Sequence, residues 1–158
     1  MNATLRLVPP APAPPEARPG RQTAAPAEPP RSGPSRVLFV GVRADLRAAL
    51  SPGLPPSDLT PSWVDDAASA LHAHAAAWAA GRPFVACVVS VGGVDAADDH
   101  PMLPLVRRLR TRDAWLRVIA TSTRRSHPIV ADAARYGFDT ALVMPYDRVA
   151  LVHAIRPV

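Results

Sequence analysis

The sequence predicts a doubly wound α/β fold, in which helices cover both faces of a five-stranded parallel sheet. The first observation is the run Phe84–Ser90, where six apolar residues are closed by one hydroxyl and followed by Gly92-Gly93. A run that short, apolar on both of its alternating faces, is typical of a central strand buried between two layers. The second observation is that four more strand-like segments alternate with helical patterns from Arg36 onward.

The elements before this central strand follow in a regular order. Val37–Val40 predicts the first strand, ended by Gly41, and Asp45 opens a helix that Pro52-Gly53 stops. A proline-rich loop then leads to a weak edge strand near Leu59–Val64. Asp65 or Asp66 then caps an alanine-rich helix. The predicted apolar face of this helix carries Leu71, Ala75 and Trp78.

The second half repeats the alternation. A long acidic loop, 94–101, follows the central strand. The remaining predicted elements are a helix carrying Leu103, Val106 and Leu109, a strand Leu116–Thr121, a helix from Pro128 to Tyr136, a strand Ala141–Val143, and a last helix opened by Asp147.

Composition excludes several classes of function. The net charge is +5, but all 18 basic residues are arginine and no run of five occurs, so we attribute the charge to compositional bias and expect no nucleic-acid partner. No apolar run approaches the ~20 residues of a membrane span, and Val8-Pro9-Pro10 interrupts the apolar segment that a signal peptide needs, so we expect neither feature. The single cysteine, Cys87, lies in the apolar strand, so we expect a buried thiol and a reducing, cytoplasmic setting.

Residues 1–35 form a segment of different composition, with half of the 20 prolines of the chain. The near absence of large apolar residues after Val8 predicts a disordered tail with local polyproline II character, and 36–158 a single folded domain. We interpret the tail as a spacer. The alternative is a docking peptide, because Pro10–Pro15 would meet a groove already extended.

Four stretches occur in an order and spacing that point to a known family: Val37–Arg47, Arg107–Arg110, Trp115–Ile119 and Tyr136–Tyr146. Together they make the folded part, from Arg36 to Ile155, resemble a response-regulator receiver domain. The resemblance implies the flavodoxin-like strand order 2-1-3-4-5. It also implies a site at the carboxyl ends of the strands, where an aspartate accepts a phosphoryl group and an acidic pair holds Mg²⁺.

Most of the residues that this chemistry requires are replaced. The resemblance places the acidic pair on Gly41 and Val42 and the phosphoacceptor aspartate on Ser90. It places the phosphate-binding lysine on Met144 and the aromatic switch residue on Ala141; only Ser122, at the hydroxyl position, and Pro145, after the lysine position, keep the expected type. A serine cannot form an acyl phosphate, and these positions offer a hard cation no carboxylate. We therefore expect a pseudo-receiver with no catalytic residues, no metal and no cofactor.

Several polar groups have competing interpretations. The loop holding Asp95, Asp98, Asp99 and His100 is either a replacement metal or phosphoacceptor site or, as we favour, a solvated loop in which Asp99 or His100 helps to start the next helix. His72 and His74 are two apart on a helix and should diverge. We favour a solvated or salt-bridged surface over a phosphate-binding patch for the arginines Arg107, Arg108, Arg110, Arg112, Arg124 and Arg125.

Two functional hypotheses from different classes follow. In the first, the protein is a stand-alone signalling adaptor of two-component or phosphorelay systems that binds a histidine kinase or another signalling protein without phosphorylation. The face around the fourth helix, fifth strand and fifth helix would carry the contact, through Arg135, Tyr146, Arg148 and His153. In the second, a small ligand binds at the edge formed by Gly41, Ser90, Gly92 and Ser122. From the length of the sequence we expect no DNA-binding output domain.

Overall fold

The protein is described here by a computed structural model, which covers residues 34–50, 59–92 and 98–156. Within these ranges five parallel strands form one sheet in the order β2-β1-β3-β4-β5, so the predicted order is confirmed. The strands are β1 Ser35–Val40, β2 Leu59–Val64, β3 Phe84–Ser90, β4 Arg117–Ser122 and β5 Thr140–Val143. Nearly all of the predicted tail, residues 1–33, lies outside the described residues.

Five helices connect the described strands: α1 Ala44–Leu50, α2 Ala67–Ala79, α3 Leu103–Arg112, α4 Pro128–Ala131 and α5 Arg148–Ile155. Aspartates begin two of them as predicted. Asp66, rather than Asp65, accepts a hydrogen bond from the Ser69 amide at 2.8 Å, and Asp147 accepts one from the Ala150 amide at 2.7 Å. Among the described helices, none combines the length and the apolar content that a bilayer span requires.

The predicted helix from Pro128 to Tyr136 is shorter than expected. It ends at Ala131, and a separate 3₁₀ turn covers Ala134–Tyr136. The Asp132 carboxylate accepts a hydrogen bond from the Arg135 amide at 3.3 Å, a local bond that competes with helical continuation. The Phe138 amide then turns back to the Ala133 carbonyl, and its ring is buried in the core.

The core lies on both faces of the sheet, and successive residues of a strand pack into its two halves in turn. Cys87 and Val89 of β3 pack with residues of α2 and α3, whereas Ala86 and Val88 pack with residues of α1 and α5. The Cys87 side chain is fully buried, as predicted, and burial raises the pKa of its thiol to about 12. The thiol is therefore protonated and inaccessible in the folded protein.

The buried face of α2 is not the predicted one. Ala70, His74 and Ala77 face the core, while Trp78 is exposed. The prediction was wrong because a helix made mostly of alanine has little contrast between its faces, so the apolar spacing does not determine its rotation. With α2 rotated in this way, His74 makes a buried polar contact. Its Nε2 atom lies 3.4 Å from the Asp113 carboxylate, and both side chains are buried.

Candidate functional site

Three of the predicted positions meet at the carboxyl edge of the sheet. β1 and β4 flank β3, so the residues that follow or end these strands, Gly41, Ser90 and Ser122, lie side by side. The Ser90 Cβ atom is 3.8 Å from the point that a Cβ atom on Gly41 would occupy. The strand order therefore brings together three of the positions at which the resemblance places the site.

Neither acidic-pair position supplies a side-chain oxygen ligand. Gly41 has φ = +66°, a left-handed conformation, and its amide donates to the Val64 carbonyl at 3.0 Å. The Val42 side chain is buried in the core beneath α1 and α5. The backbone at this edge is therefore shaped for a glycine and an inward apolar side chain.

A methionine covers the space beside Gly41. The Cε atom of Met102, in the turn before α3, lies 3.5 Å from the point that a Gly41 Cβ atom would occupy. A thioether methyl is no ligand for a hard divalent cation. Sequence reasoning missed Met102, since nothing in its local pattern indicates a contact with the end of β1.

Ser122, the last residue of β4, and Met144, the first residue after β5, both form hydrogen bonds with neighbouring backbone or side-chain groups. The Ser122 side chain is buried, and its Oγ accepts a hydrogen bond from the Arg124 amide at 3.0 Å. The Met144 amide donates to the Ser122 carbonyl at 2.8 Å, and the Met144–Pro145 peptide bond is cis. Ala141 is half-buried against the core. The Ser122 hydroxyl shapes the loop after β4.

The carboxylates nearest this edge are paired with arginines. Asp45 accepts a hydrogen bond from Arg43 Nε at 3.2 Å, and Asp65 forms an ion pair with Arg47. All of these groups except Arg47 are well exposed. Across residues 34–50, 59–92 and 98–156, no cluster of three or more histidine, cysteine, aspartate or glutamate side chains could hold a metal ion.

An open groove of about 360 Å³ lies beside this edge, displaced toward α1 and the end of β5. None of the four residues of the predicted ligand edge lines it. Its lining is Arg43, Asp45, Leu46, Ala49, Thr123, Met144 and Pro145. The lining of the groove is therefore mainly apolar, with the Arg43–Asp45 ion pair and the Thr123 hydroxyl as its polar groups.

Two buried histidines lie in the connections that follow β3 and β4. The rings of His100 and His127 are 6.1 Å apart, and the Nδ1 atom of each accepts a backbone hydrogen bond at 3.2 Å, from Met102 and Ile129 respectively. Burial, and secondarily the charge of His127, lowers the pKa of His100. His100 thus helps to begin α3, as one of the predictions had it, and His127, which begins α4, was missed.

The remaining acidic-loop residues fit a solvated loop where they are described. Asp98 and Asp99 are exposed, and Asp98 lies 3.4 Å from Arg135 Nη2. Asp95 lies outside the described residues. His72 is exposed while His74 is buried, so their predicted divergence is confirmed.

The predicted arginine surface holds one arginine with a structural role. Arg110 donates to the Gly137 carbonyl at 3.1 Å, the Leu116 carbonyl at 3.0 Å and the Asp139 carboxylate at 2.6 Å. It therefore ties α3 to the segments before β4 and β5. The other five are exposed, which agrees with a solvated surface: Arg107, Arg108, Arg112, Arg124 and Arg125.

The four residues of the predicted partner face differ in exposure. Tyr146 packs against the core, and burial raises the pKa of its hydroxyl to about 12. Arg135 is exposed, with its guanidinium over the Tyr136 ring. On α5, Arg148 donates to the Ala49 carbonyl at 3.1 Å and His153 is exposed. The outer face of α5 also presents Val149, which is 63% exposed and was not predicted.

Comparison with known proteins identifies the fold. No family model matches the chain and no curated protein matches it. Solved structures do match. A sensor protein from Polaromonas sp. JS666 superposes with a TM-score of 0.58 at 22% identity, over 77% of this chain and 92% of the other. A response regulator in red light signaling of R. palustris gives 0.55 at 22% identity, over 77% and 89%.

A third structure, the signal receiver domain of an HD domain-containing protein from Pseudomonas fluorescens Pf-5, gives a TM-score of 0.59 at 20% identity, over 77% of this chain and 91% of the other. The described part of the chain therefore has the fold of response-regulator receiver domains. At these identities the likeness concerns the fold.

Proposed function

We propose that this protein is a stand-alone, non-enzymatic signalling adaptor of two-component or phosphorelay systems, which binds a protein partner without aspartyl phosphorylation. The observation that carries the proposal is the carboxyl edge of the sheet, where Gly41 and Val42 bring no carboxylate and Met102 covers the space beside Gly41. A phosphoryl group carries a charge of about −1.5 to −2, and none of the side chains at Gly41, Val42, Ser90 and Met144 is a cation that could offset it. The fold is retained while the groups for phosphoryl transfer are replaced.

The partner surface in this proposal is the outer face of α5. Arg148, Val149, Val152 and His153 line a shallow groove there, and an exposed valine between polar residues is the kind of apolar centre that a protein interface covers. The partner class is a histidine kinase or another cytoplasmic signalling protein. Because the covalent trigger is missing, binding is constitutive or is controlled by the partner.

Phosphorylation is tested directly. The full-length protein, incubated with acetyl phosphate and Mg²⁺, is expected to keep its mass, and beryllofluoride with Mg²⁺ is expected to leave its tryptophan fluorescence unchanged. The variant Ser90→Asp, which supplies a carboxylate without the acidic pair, should behave in the same way. A stoichiometric phosphoryl adduct on the wild-type protein would contradict the proposal.

The partner surface is tested by photo-crosslinking in cells. A photoreactive residue at position 149 is expected to capture a defined two-component protein, and the matched position is Arg108, an exposed residue of α3 outside this groove. Capture from position 108 but not from position 149 would show that the partner does not bind the outer face of α5, and would contradict the proposed partner surface.

A second candidate function, binding of a small ligand, is favoured by the groove of about 360 Å³ between α1 and the end of β5. Its Arg43–Asp45 pair and Thr123 offer polar contacts above an apolar wall. Thermal-shift screening against nucleotides and flavins separates the two candidates. Stabilisation by a compound that is lost in Met144→Trp would favour the ligand site, and no shift is expected for an adaptor.

A further inference from the structure

A second groove, of about 410 Å³, lies on the outer side of α2 next to α3 and is lined by His74, Ala75, Trp78, Ala79 and Arg112. The Trp78 side chain is 44% exposed there. Trp115, two residues beyond the His74 partner Asp113, is 42% exposed. Tryptophan is costly to leave in water, so this part of the surface is apolar and aromatic without a covering element among the described residues.

One lining residue of the groove, His74, carries an unsatisfied buried polar atom. His74 is only 3% exposed, and its Nε2 faces the Asp113 carboxylate at 3.4 Å. A carboxylate facing Nε2 favours the tautomer with the proton on that nitrogen, which leaves Nδ1 as an acceptor. His74 Nδ1 has no hydrogen-bond partner in the described part of the chain. A buried acceptor without a donor is unfavourable, so His74 places an unsatisfied polar group in the wall of the groove.

The groove lies at the amino edge of the sheet. Trp78 is near the end of α2, which leads into β3, and Arg112 is the last residue of α3, which leads into β4. β1 begins at the same edge, and Arg36 Nη1 donates to the Arg82 carbonyl at 3.5 Å, just before β3. Residues 1–33 therefore join the domain at the edge where the groove lies.

The chemistry of one segment in residues 1–33 matches the groove. Pro9–Pro15 reads PPAPAPP and is followed directly by Glu16. Proline-rich segments dock on aromatic grooves because their extended backbone is already ordered. Glu16 has the charge that complements Arg112.

The connection is long enough for the segment to bind its own chain. A random-coil chain of 19 residues, the number from Glu16 to Pro34, has a root-mean-square span of about 25 Å. A domain of this size has a radius of gyration of about 14 Å. The segment therefore reaches a groove at the edge where it joins the domain.

We propose that Pro9–Glu16 docks intramolecularly in the groove at Trp78. The prolines pack on the Trp78 indole, and Glu16 pairs with Arg112. The tail then covers an aromatic surface of its own domain and is a built-in competitor for any proline-rich ligand of that groove. This interaction surface is separate from the α5 face.

Paramagnetic NMR on the full-length chain tests the contact. The variant Ala17→Cys is labelled with a nitroxide, which spares Cys87 because that thiol is fully buried. The Trp78 indole N–H signal is expected to be largely lost, while that of Trp63, which packs on Phe39 in the other half of the core, is retained. Adding Pro10→Gly, Pro12→Gly and Pro14→Gly should restore the Trp78 signal. Retained Trp78 intensity in the labelled parent, or broadening that survives the glycines, overturns the proposal.

A mixed sample separates one chain from two. Isotope-labelled protein without nitroxide is combined with nitroxide-labelled protein without isotope, and Trp78 is expected to be unaffected. Broadening confined to this mixture would assign the groove to the tail of a second copy and overturn the intramolecular contact.

A charge exchange tests the Glu16–Arg112 pair. Glu16→Arg and Arg112→Glu are each expected to weaken the paramagnetic effect a few-fold, and the double variant is expected to regain it. Arg108→Glu is the matched control, an exposed reversal on α3 outside the groove. A double variant as weak as the single variants would refute the pairing.

Discussion

The Cε methyl of Met102 lies 3.5 Å from the point that a Cβ atom on Gly41 would occupy. The end of β1 and the turn before α3 are therefore packed against each other where a phosphate-handling site would need oxygen ligands and water. Together with the missing carboxylates at Gly41, Val42 and Ser90, this contact is the physical basis for expecting no metal-assisted phosphoryl transfer.

Gly41→Ala is expected to destabilise the protein by about 1–2 kcal/mol, because φ at this residue is +66° and an L-residue is strained there. Urea unfolding measures the difference. Gly92→Ala is the control, since Gly92 has no positive φ and an added Cβ atom meets nothing within 4 Å. Equal stability of the two variants would contradict the strain at Gly41.

Arg110→Ala is expected to destabilise the protein by about 2 kcal/mol, because the half-buried guanidinium bonds two backbone carbonyls and the Asp139 carboxylate. Arg110→Lys should recover little of this loss, since one ammonium group cannot reproduce a planar fork. Arg108→Ala, on the exposed side of α3, is expected to be nearly neutral. If lysine restored wild-type stability, the charge alone would be responsible.

Asp113→Ala is expected to cost about 2–3 kcal/mol, because it removes the acceptor of two amides, Trp115 and Leu116, and the partner of buried His74. Asp113→Asn keeps one carbonyl oxygen and should cost clearly less. Thermal and urea unfolding of both variants measure the order. Alanine and asparagine variants of equal stability would show that the Asp113 hydrogen bonds to the backbone contribute nothing.

Stability is expected to fall at mildly acidic pH, and His100 to account for part of the fall. Burial and the neighbouring His127 lower the pKa of His100 in the folded protein below 6.5. The unfolded chain then binds more protons, so the stabilisation is complete above about pH 6.5 and is lost as the pH falls from there toward the folded-state pKa. The contribution of one such group changes by at most about 1.4 kcal/mol per pH unit.

The measurement is urea unfolding across this range for the wild type and for His100→Asn, whose side-chain carbonyl can still accept the Met102 amide. A flatter profile for the variant is expected. His72→Asn, at an exposed position of α2, should leave the profile unchanged. Identical slopes for wild type and His100→Asn would exclude His100 as the source.

Local patterns predicted the elements that depend on local chemistry. The apolar run of β3 placed the central strand, and Asp66 and Asp147 cap the helices they precede, because each effect acts within a few residues along the chain. The rotation of α2 and the early end of α4 were not predictable in this way. An alanine-rich helix has no strongly apolar face, and the end of α4 accompanies a turn that returns the chain to bury Phe138 in the core.

By itself, the sequence determined that the positions expected to handle phosphate hold Gly41, Val42, Ser90 and Met144, since residue identity alone decides whether a carboxylate or an ammonium is available. Only the tertiary structure decided what lies beside them. Met102 reaches Gly41, and His74 meets Asp113 beneath an open groove at Trp78, through contacts between residues far apart in the chain. Such contacts leave no periodic signal because they are set by the packing of helices on the sheet, which depends on the whole fold.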